Sequence, residues 1–315
     1  MRRFGSERAL TSFAPSYDAV GSVALGESFA VRTADCYDGQ IADARTLRPD
    51  IDMERFNRAS GPITVDGVRA GEWVRICIES IDLVGPGVMA LTPGLGVLGE
   101  NVADPATRLL EIRDGRAWLT GDVAVPLRPM VGILGVATSG EVVASSTPGE
   151  HGGNLDTRTL EAGTSLAVRA HQSGLGLAVG DLHAAMGDGE LGGTGIEIGG
   201  EVVLRVERLD GYAGRWPAVL TSDGVHVLAS RDHLDDAIHD AFADAVALMA
   251  QWHGLAWEDA YRLTSVVADL RVSQVVNPRR TARLSIPAAW CPAVLTEGSA
   301  QNRYHRGQLR LGGAR

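Results

Sequence analysis

Punctuation by glycine is what most constrains this chain. Glycine supplies 39 of 315 residues, against about 7% in an average protein. From residue 28 to residue 207, short apolar or alternating runs are separated by turn residues. Glycine enters positive φ without steric cost, so such a stretch turns often and favours short strands over long helices. Residues 73–79 place Val74, Ile76 and Ile78 on one face and Arg75, Cys77 and Glu79 on the other, the period of a half-buried strand. The dipeptides Asp66-Gly67, Asp114-Gly115 and Asp223-Gly224 predict hairpins.

Beyond residue 232 the period changes. Leu234, Ile238, Phe242, Val246, Met249 and Trp252 recur every three to four residues, which predicts an amphipathic helix with Asp232 as N-cap and Gly254 as stop. A second helix over 257–268 and strands over 271–276 and 281–286 complete the tail. The fold class expected is α+β and β-rich, with a mostly antiparallel N-terminal and central part and a smaller αβ unit at the C-terminus. The division predicted is 1–210, carrying the functional site, and 211–315 packed on it.

Charge and cysteine usage remove whole classes of function. With 29 basic and 39 acidic residues the net charge is −10, which leaves no basic face for a phosphate backbone, so nucleic acid is not an expected partner. Every basic residue is Arg and none is Lys. Cys36, Cys77 and Cys291 are odd in number and lack CxxC spacing, so they read as reduced thiols. No export signal follows Met1, and the longest apolar run, 130–137, is far short of the roughly 18 residues a spanning helix needs. A cytoplasmic protein without a membrane partner is expected.

Polar residues concentrate in two glycine-rich loops. One reads Pro148-Gly149-Glu150-His151-Gly152-Gly153-Asn154-Leu155-Asp156, and the other Gly180-Asp181-Leu182-His183-Ala184-Ala185-Met186-Gly187-Asp188-Gly189-Glu190. In Asp181-x-His183 the strand period of two puts both side chains on one face, a spacing that suits either a single metal ion or a local hydrogen-bonded pair. Imidazole and carboxylate donors suit zinc and its neighbours, whereas oxygen alone suits calcium. Gly152-Gly153 lacks the Lys and the spacing of a phosphate-binding P-loop.

These two loops resemble the hallmark stretches of the acetamidase/formamidase family. The likeness extends to Thr33-Ala34-Asp35-Cys36-Tyr37-Asp38-Gly39-Gln40-Ile41, to Gly61-Pro62-Ile63, and to Ala260-Tyr261-Arg262-Leu263 and Val276-Asn277-Pro278. The resemblance implies a β-rich, metal-bound hydrolase of short aliphatic amides that releases ammonia and a carboxylate, acting as a homo-oligomer, dimer or tetramer. Met186 departs from the polar residue, often Gln, expected at its position, and is the residue expected to set substrate size.

Two well-known amidase designs depend on a catalytic Lys, so a chain without Lys can run neither. A divalent ion fits instead, because zinc lowers the pKa of its water to about 7 and polarises a carbonyl. On this reading Asp35, His151, Asp181 and His183 supply most of the metal ligands, with Asp35 resting on the resemblance alone. Zinc is the first choice, with calcium or manganese as alternatives. Glu190 is the general base and acid, Glu150 and Asp188 are its reserves, and Asn154 binds the amide or steadies a ligand. Cys36 is a fallback nucleophile. His171, His226, His233, His239, His253 and His305 are assigned to surface or packing. Two alternatives stand beside the amidase: a non-catalytic, metal-stabilised β-protein that binds a small ligand, and a ureohydrolase-like enzyme.

Overall fold

A computed structural model of the chain describes residues 1–296; His305 lies outside them. Strands dominate, and their pairings are antiparallel except for two parallel ones, Arg2–Phe4 with the Ser28–Thr33 strand and Gly21–Ala24 with the Ala59–Asp66 strand. The architecture is α+β and β-rich. The long Trp73–Leu91 strand pairs with Glu197–Arg208, Ser165–Arg169 and Ala106–Arg113. At the centre, Leu177–His183 is buried along all seven residues, flanked by Met130–Gly135 and Ala59–Asp66. Val74, Ile76 and Ile78 point into the main core as the alternation predicts.

Of the three expected hairpins, two form. Arg113 pairs with Arg116 across Asp114-Gly115, whose φ values of 53° and 69° suit a tight two-residue turn. Thr221 pairs with Gly224, so that turn consists of Ser222 and Asp223, with Gly224 already in the strand. Asp66-Gly67 turns the chain but makes no hairpin. The strands on either side of it pair with different partners: Gly21–Ala24 runs beside residues 63–66 next to the turn and Leu177–His183 pairs with residues 59–63, while Trp73–Leu91 pairs with Glu197–Arg208 and Ser165–Arg169.

The tail is built as expected, with Leu234–His253, Trp257–Val267, Asp269–Gln274 and Arg280–Pro287 in order. The sheet continues into it, since Ser165–Arg169 pairs with Ala218–Thr221, which pairs with Gly224–Arg231. Gly254 closes the first helix in the left-handed region at φ 63°. The N-cap is His233, not Asp232, and no side chain caps it; the Asp232 carboxylate lies 3.6 Å from Arg279 instead. The buried stripe keeps Val246 and Met249 from the expected one and is otherwise shifted onto the alanines. Ala237, Ala241, Ala245, Leu248 and Met249 face the sheet, while Leu234, Ile238, Phe242 and Trp252 flank it half-buried. Small residues let the helix approach the sheet, and the larger side chains wedge in from the sides. Cys36, Cys77 and Cys291 are free thiols. Among the described residues no helix is long and apolar enough to cross a membrane.

Candidate active site

The central strand delivers Asp181 and His183, and three neighbouring segments bring carboxylates to them. Glu197 stands opposite His183 in register at the start of the next strand. Its Oε1 accepts from Thr194 Oγ1 at 2.8 Å and from the Gly195 amide at 3.1 Å, which turns Oε2 inward. Asp156 follows the Gly152–Asn154 strand, where Gly132 O accepts the amides of Leu155 and Asp156 at 3.1 and 3.3 Å. Asp156 Oδ2 accepts from Asn277 Nδ2 at 2.7 Å, leaving Oδ1 facing the cluster. Glu190 rides on a glycine-rich turn that the Ser273 carbonyl holds through the Gly189 amide at 2.9 Å.

His183 Nε2 is the focus. It lies 3.0 Å from Glu197 Oε2, 3.4 Å from Asp181 Oδ1 and 3.9 Å from Asp156 Oδ1. One imidazole nitrogen can donate one proton, so it cannot satisfy three carboxylates. Asp156 Oδ1, Asp181 Oδ1, Glu190 Oε2 and Glu197 Oε2 are buried without a well-formed hydrogen bond. Among the described residues two triads have ligand atoms within 4.8 Å of one another: Asp156, His183 and Glu190; and Cys36, Asp181 and Glu197. Every one of these six side chains belongs to a residue no more than 7% exposed.

The electrostatics follow from that crowding. Burial raises Asp156, Asp181 and Glu190 above the usual carboxylate range, Asp181 to about 8, with the Glu197 charge adding to each. Burial alone would depress His183, but Glu197 and Asp181 outweigh it and push its pKa well above the ordinary value. Burial would raise Glu197, but the His183 charge holds it at about 2. Without a cation, then, His183 and Glu197 form an ion pair, and Asp181 holds its proton at neutral pH. Burying this many acids together without compensation is costly. Asp156, Asp181 and Glu190 also adopt left-handed backbones, with φ of 38°, 54° and 46°, a strain of about 1–3 kcal/mol each that persists chiefly at functional sites. Orphaned oxygens, one imidazole and one thiol form a donor set that fits a divalent ion such as zinc.

Of the residues named from the sequence, the structure brings Asp181, His183 and Glu190 together. The other predicted residues lie around them. Asp35 Oδ1 caps a turn, accepting from the Tyr37 and Gly39 amides at 2.9 and 3.1 Å, and joins neither triad. Asp35 does line a cavity of about 730 Å³ with Thr33, Val88 and Gly199, and Val88 pairs in register with Glu197. His151 also stands outside the triads; it is buried against Phe13 with ring centroids 5.0 Å apart, and burial lowers its pKa to about 3. Asn154 is buried with Oδ1 unpartnered. Glu150 pairs with Arg215 at 3.1 Å, Asp188 pairs with Arg283 at 2.8 Å, and Met186 is half-buried.

Asp156, Glu197 and Cys36 join the cluster without having been assigned as ligands. Asp156 stands in the first loop, but its spacing is that of any turn-forming Asp. Glu197 opens an alternating strand with nothing local to mark it. His226, read as a packing residue, hydrogen-bonds Thr221 Oγ1 and Ser285 Oγ at 3.0 and 2.8 Å.

The model of the Acetamidase/Formamidase family matches residues 6–148 and 144–290. An acetamidase from Mycolicibacterium smegmatis is 26% identical over 264 residues, which covers 62% of this chain and 65% of that protein. The chain therefore spans just under two thirds of the length of that curated relative. The crystal structure of an acetamidase from Bacillus halodurans superposes with a TM-score of 0.89 at 37% identity, covering 91% of this chain and 98% of that one. A recombinant predicted acetamidase/formamidase from Thermoanaerobacter tengcongensis gives 0.87 at 35% identity, covering 91% and 95%. A gamma lactamase from Delftia acidovorans shares the fold, with a TM-score of 0.61 at 19% identity, covering 91% and 93%. With matches running from residue 6 to residue 290 and a solved relative above one third identity, the chain belongs to the acetamidase/formamidase family.

Proposed function

We propose that this chain is a metal-dependent hydrolase of short linear amides, releasing ammonia and a carboxylate, and that it acts in the cytoplasm as a homo-oligomer. The observation that carries the reading is the set of orphaned carboxylate oxygens around His183 Nε2. Asp156, Asp181, His183 and Glu197 would hold the ion, with Cys36 Sγ beside Asp181 and Glu197 as a further donor. Zinc fits the mixed donor set best, with manganese or calcium as alternatives. Once bound, such an ion supplies Lewis acidity for the amide carbonyl and makes water more acidic.

The chain's own residues do the rest. Glu190, buried beside Asp156, takes one proton from the attacking water and delivers it to the departing nitrogen. The water oxygen bonds the carbonyl carbon, the C–N bond breaks, and its electron pair leaves with ammonia. Asn154 Oδ1, an acceptor without a partner, receives an N–H of the substrate amide. The cavity beside Asp35 and Val88 is the approach; Met186, half-buried on the loop that carries Glu190, sets substrate size. Elemental analysis combined with ammonia release from formamide, acetamide and propionamide, before and after chelation, tests this. Near-stoichiometric metal with chelator-sensitive release supports it; activity without metal overturns it and returns attention to Cys36.

A second reading, a non-catalytic metal-stabilised β-protein, draws on one observation: every donor is closed over by protein, as in a structural metal site. Tightly held metal with no ammonia from any amide would select that reading. The ureohydrolase alternative needs a parallel α/β sheet, whereas this sheet is antiparallel in all but two pairings.

A further inference from the structure

The clustered donors all come from the first two thirds of the chain, yet two of the segments that carry them are gripped by residues 273–283. Arg283 is 3% exposed, inside the joint between the tail and the β-rich part. Its Nη1 donates to Thr157 Oγ1 at 3.1 Å and its Nη2 to Asp188 Oδ2 at 2.8 Å. Thr157 directly follows Asp156, and Asp188 stands two residues before Glu190. Ser273 reinforces both ends, donating its hydroxyl to Thr157 Oγ1 at 2.9 Å and accepting the Gly189 amide at 2.9 Å; the Val275 amide returns a bond to Gly189 O at 3.1 Å.

Only a planar two-pronged donor serves this arrangement. A guanidinium reaches two acceptors at once in a fixed geometry, whereas an ammonium is a single mobile point charge. Asp156 and Glu190 both sit in left-handed backbones, and such conformations persist only where surrounding contacts over-determine them. We infer that Arg283 is a positioning residue for the reaction, a fork from the tail that holds the Asp156 and Glu190 segments at a fixed separation. It touches neither substrate nor metal and acts through Thr157 and Asp188. This role rests on the metal-hydrolase reading of the cluster, but part of its test does not.

The test uses the full-length chain with Co²⁺ as a spectroscopic probe, comparing Arg283→Met, Arg283→Lys and Asp188→Asn with wild type. Supporting the role, Co²⁺ binds about 10- to 100-fold more weakly in each variant, its visible band changes shape, and kcat falls while KM holds. Asp188→Asn combined with Arg283→Met then adds little to either alone, because both remove one bridge. If Arg283→Met fails to fold, Arg283→Lys is read in its place, since it keeps the charge and loses only the fork. Wild-type Co²⁺ affinity, band shape and kcat in the folded variants overturn the role. If wild type neither binds Co²⁺ nor cleaves amides, the hydrolase reading fails, and amide hydrogen exchange then decides the positioning role. Faster exchange over 187–193 in the variants, with 177–183 unchanged, supports the fork; equal exchange over both overturns it.

Discussion

Gly132→Ala perturbs the cluster from a residue that carries no chemistry. Gly132 lies in the Met130–Gly135 strand, between Val131 and Ile133, which pair with Leu182 and Gly180 of the central strand. A Cβ there would stand 2.5 Å from Asp156 Oδ1, 2.7 Å from Asp181 O and 2.8 Å from Asp181 Oδ2. That is roughly 1 Å inside ordinary contact. Asp181 O belongs to strand backbone, so the two carboxylates must swing away and the paired strands must also shift. Overpacking of this kind costs about 1–3 kcal/mol of stability. The larger effect is on function, since a displacement of about 1 Å at reacting groups costs on the order of 10²-fold in rate, or about 2.7 kcal/mol of transition-state stabilisation. Zinc content, kcat/KM for ammonia release and thermal unfolding should be measured together, with Gly140→Ala as control because nothing lies within 4 Å of its Cβ position. The expected outcome is a modest fall in Tm, substoichiometric metal and a collapse of kcat/KM. A folded variant with full metal and kcat/KM within about 2-fold of wild type would refute the placement of Asp156 and Asp181 at the reacting centre.

Three further outcomes are expected. Glu190→Gln should lower kcat by about 10²- to 10⁴-fold with bound metal unchanged, and retained activity in that variant would move the proton-transfer role elsewhere. Zinc uptake should release protons at pH 7 and tighten toward pH 8, because burial raises Asp181 to about 8 and the neighbouring carboxylates push His183 well above its ordinary value in the empty protein, and ligands must bind deprotonated; calorimetry in two buffers of different ionisation enthalpy measures this, and zero release contradicts it. His226 is lowered from 6.5 to about 4 by burial and by the Arg283 charge, so between those pH values the unfolded chain binds the proton that the fold refuses, and stability is lost as pH falls through that window, by roughly 3 kcal/mol. Urea titrations at pH 7 and pH 4.5 should therefore show a smaller acid loss for His226→Gln than for wild type, and parallel losses would disprove the assignment.

Much of the fold was legible because its signals are local. Glycine punctuation, the alternation of Val74, Ile76 and Ile78, the Asp114-Gly115 turn and the Gly254 stop each act through residues close in sequence. The failures were those of partnership. Asp66-Gly67 makes a turn whichever strands pair, and which strands pair depends on residues tens to more than a hundred positions away. The face that the first helix buries was settled by how closely its alanines approach the sheet, which hydropathy alone does not express.

The site divides in the same way. The Asp181-x-His183 spacing and the loop carrying Glu190 are short-range features, so the sequence by itself determined that polar side chains gather there and that Lys-dependent chemistry is excluded. Glu197 enters through a strand register, Asp156 through a left-handed turn held by Gly132 and Asn277, and Cys36 through a loop remote from all of them. His151 shares its motif but packs against Phe13, and the Asp35 carboxylate caps a turn beside the cluster without joining either triad. Only the tertiary structure decided which donors converge, because convergence within a few ångströms is set by the packing of distant segments and leaves no periodicity in the chain that encodes it.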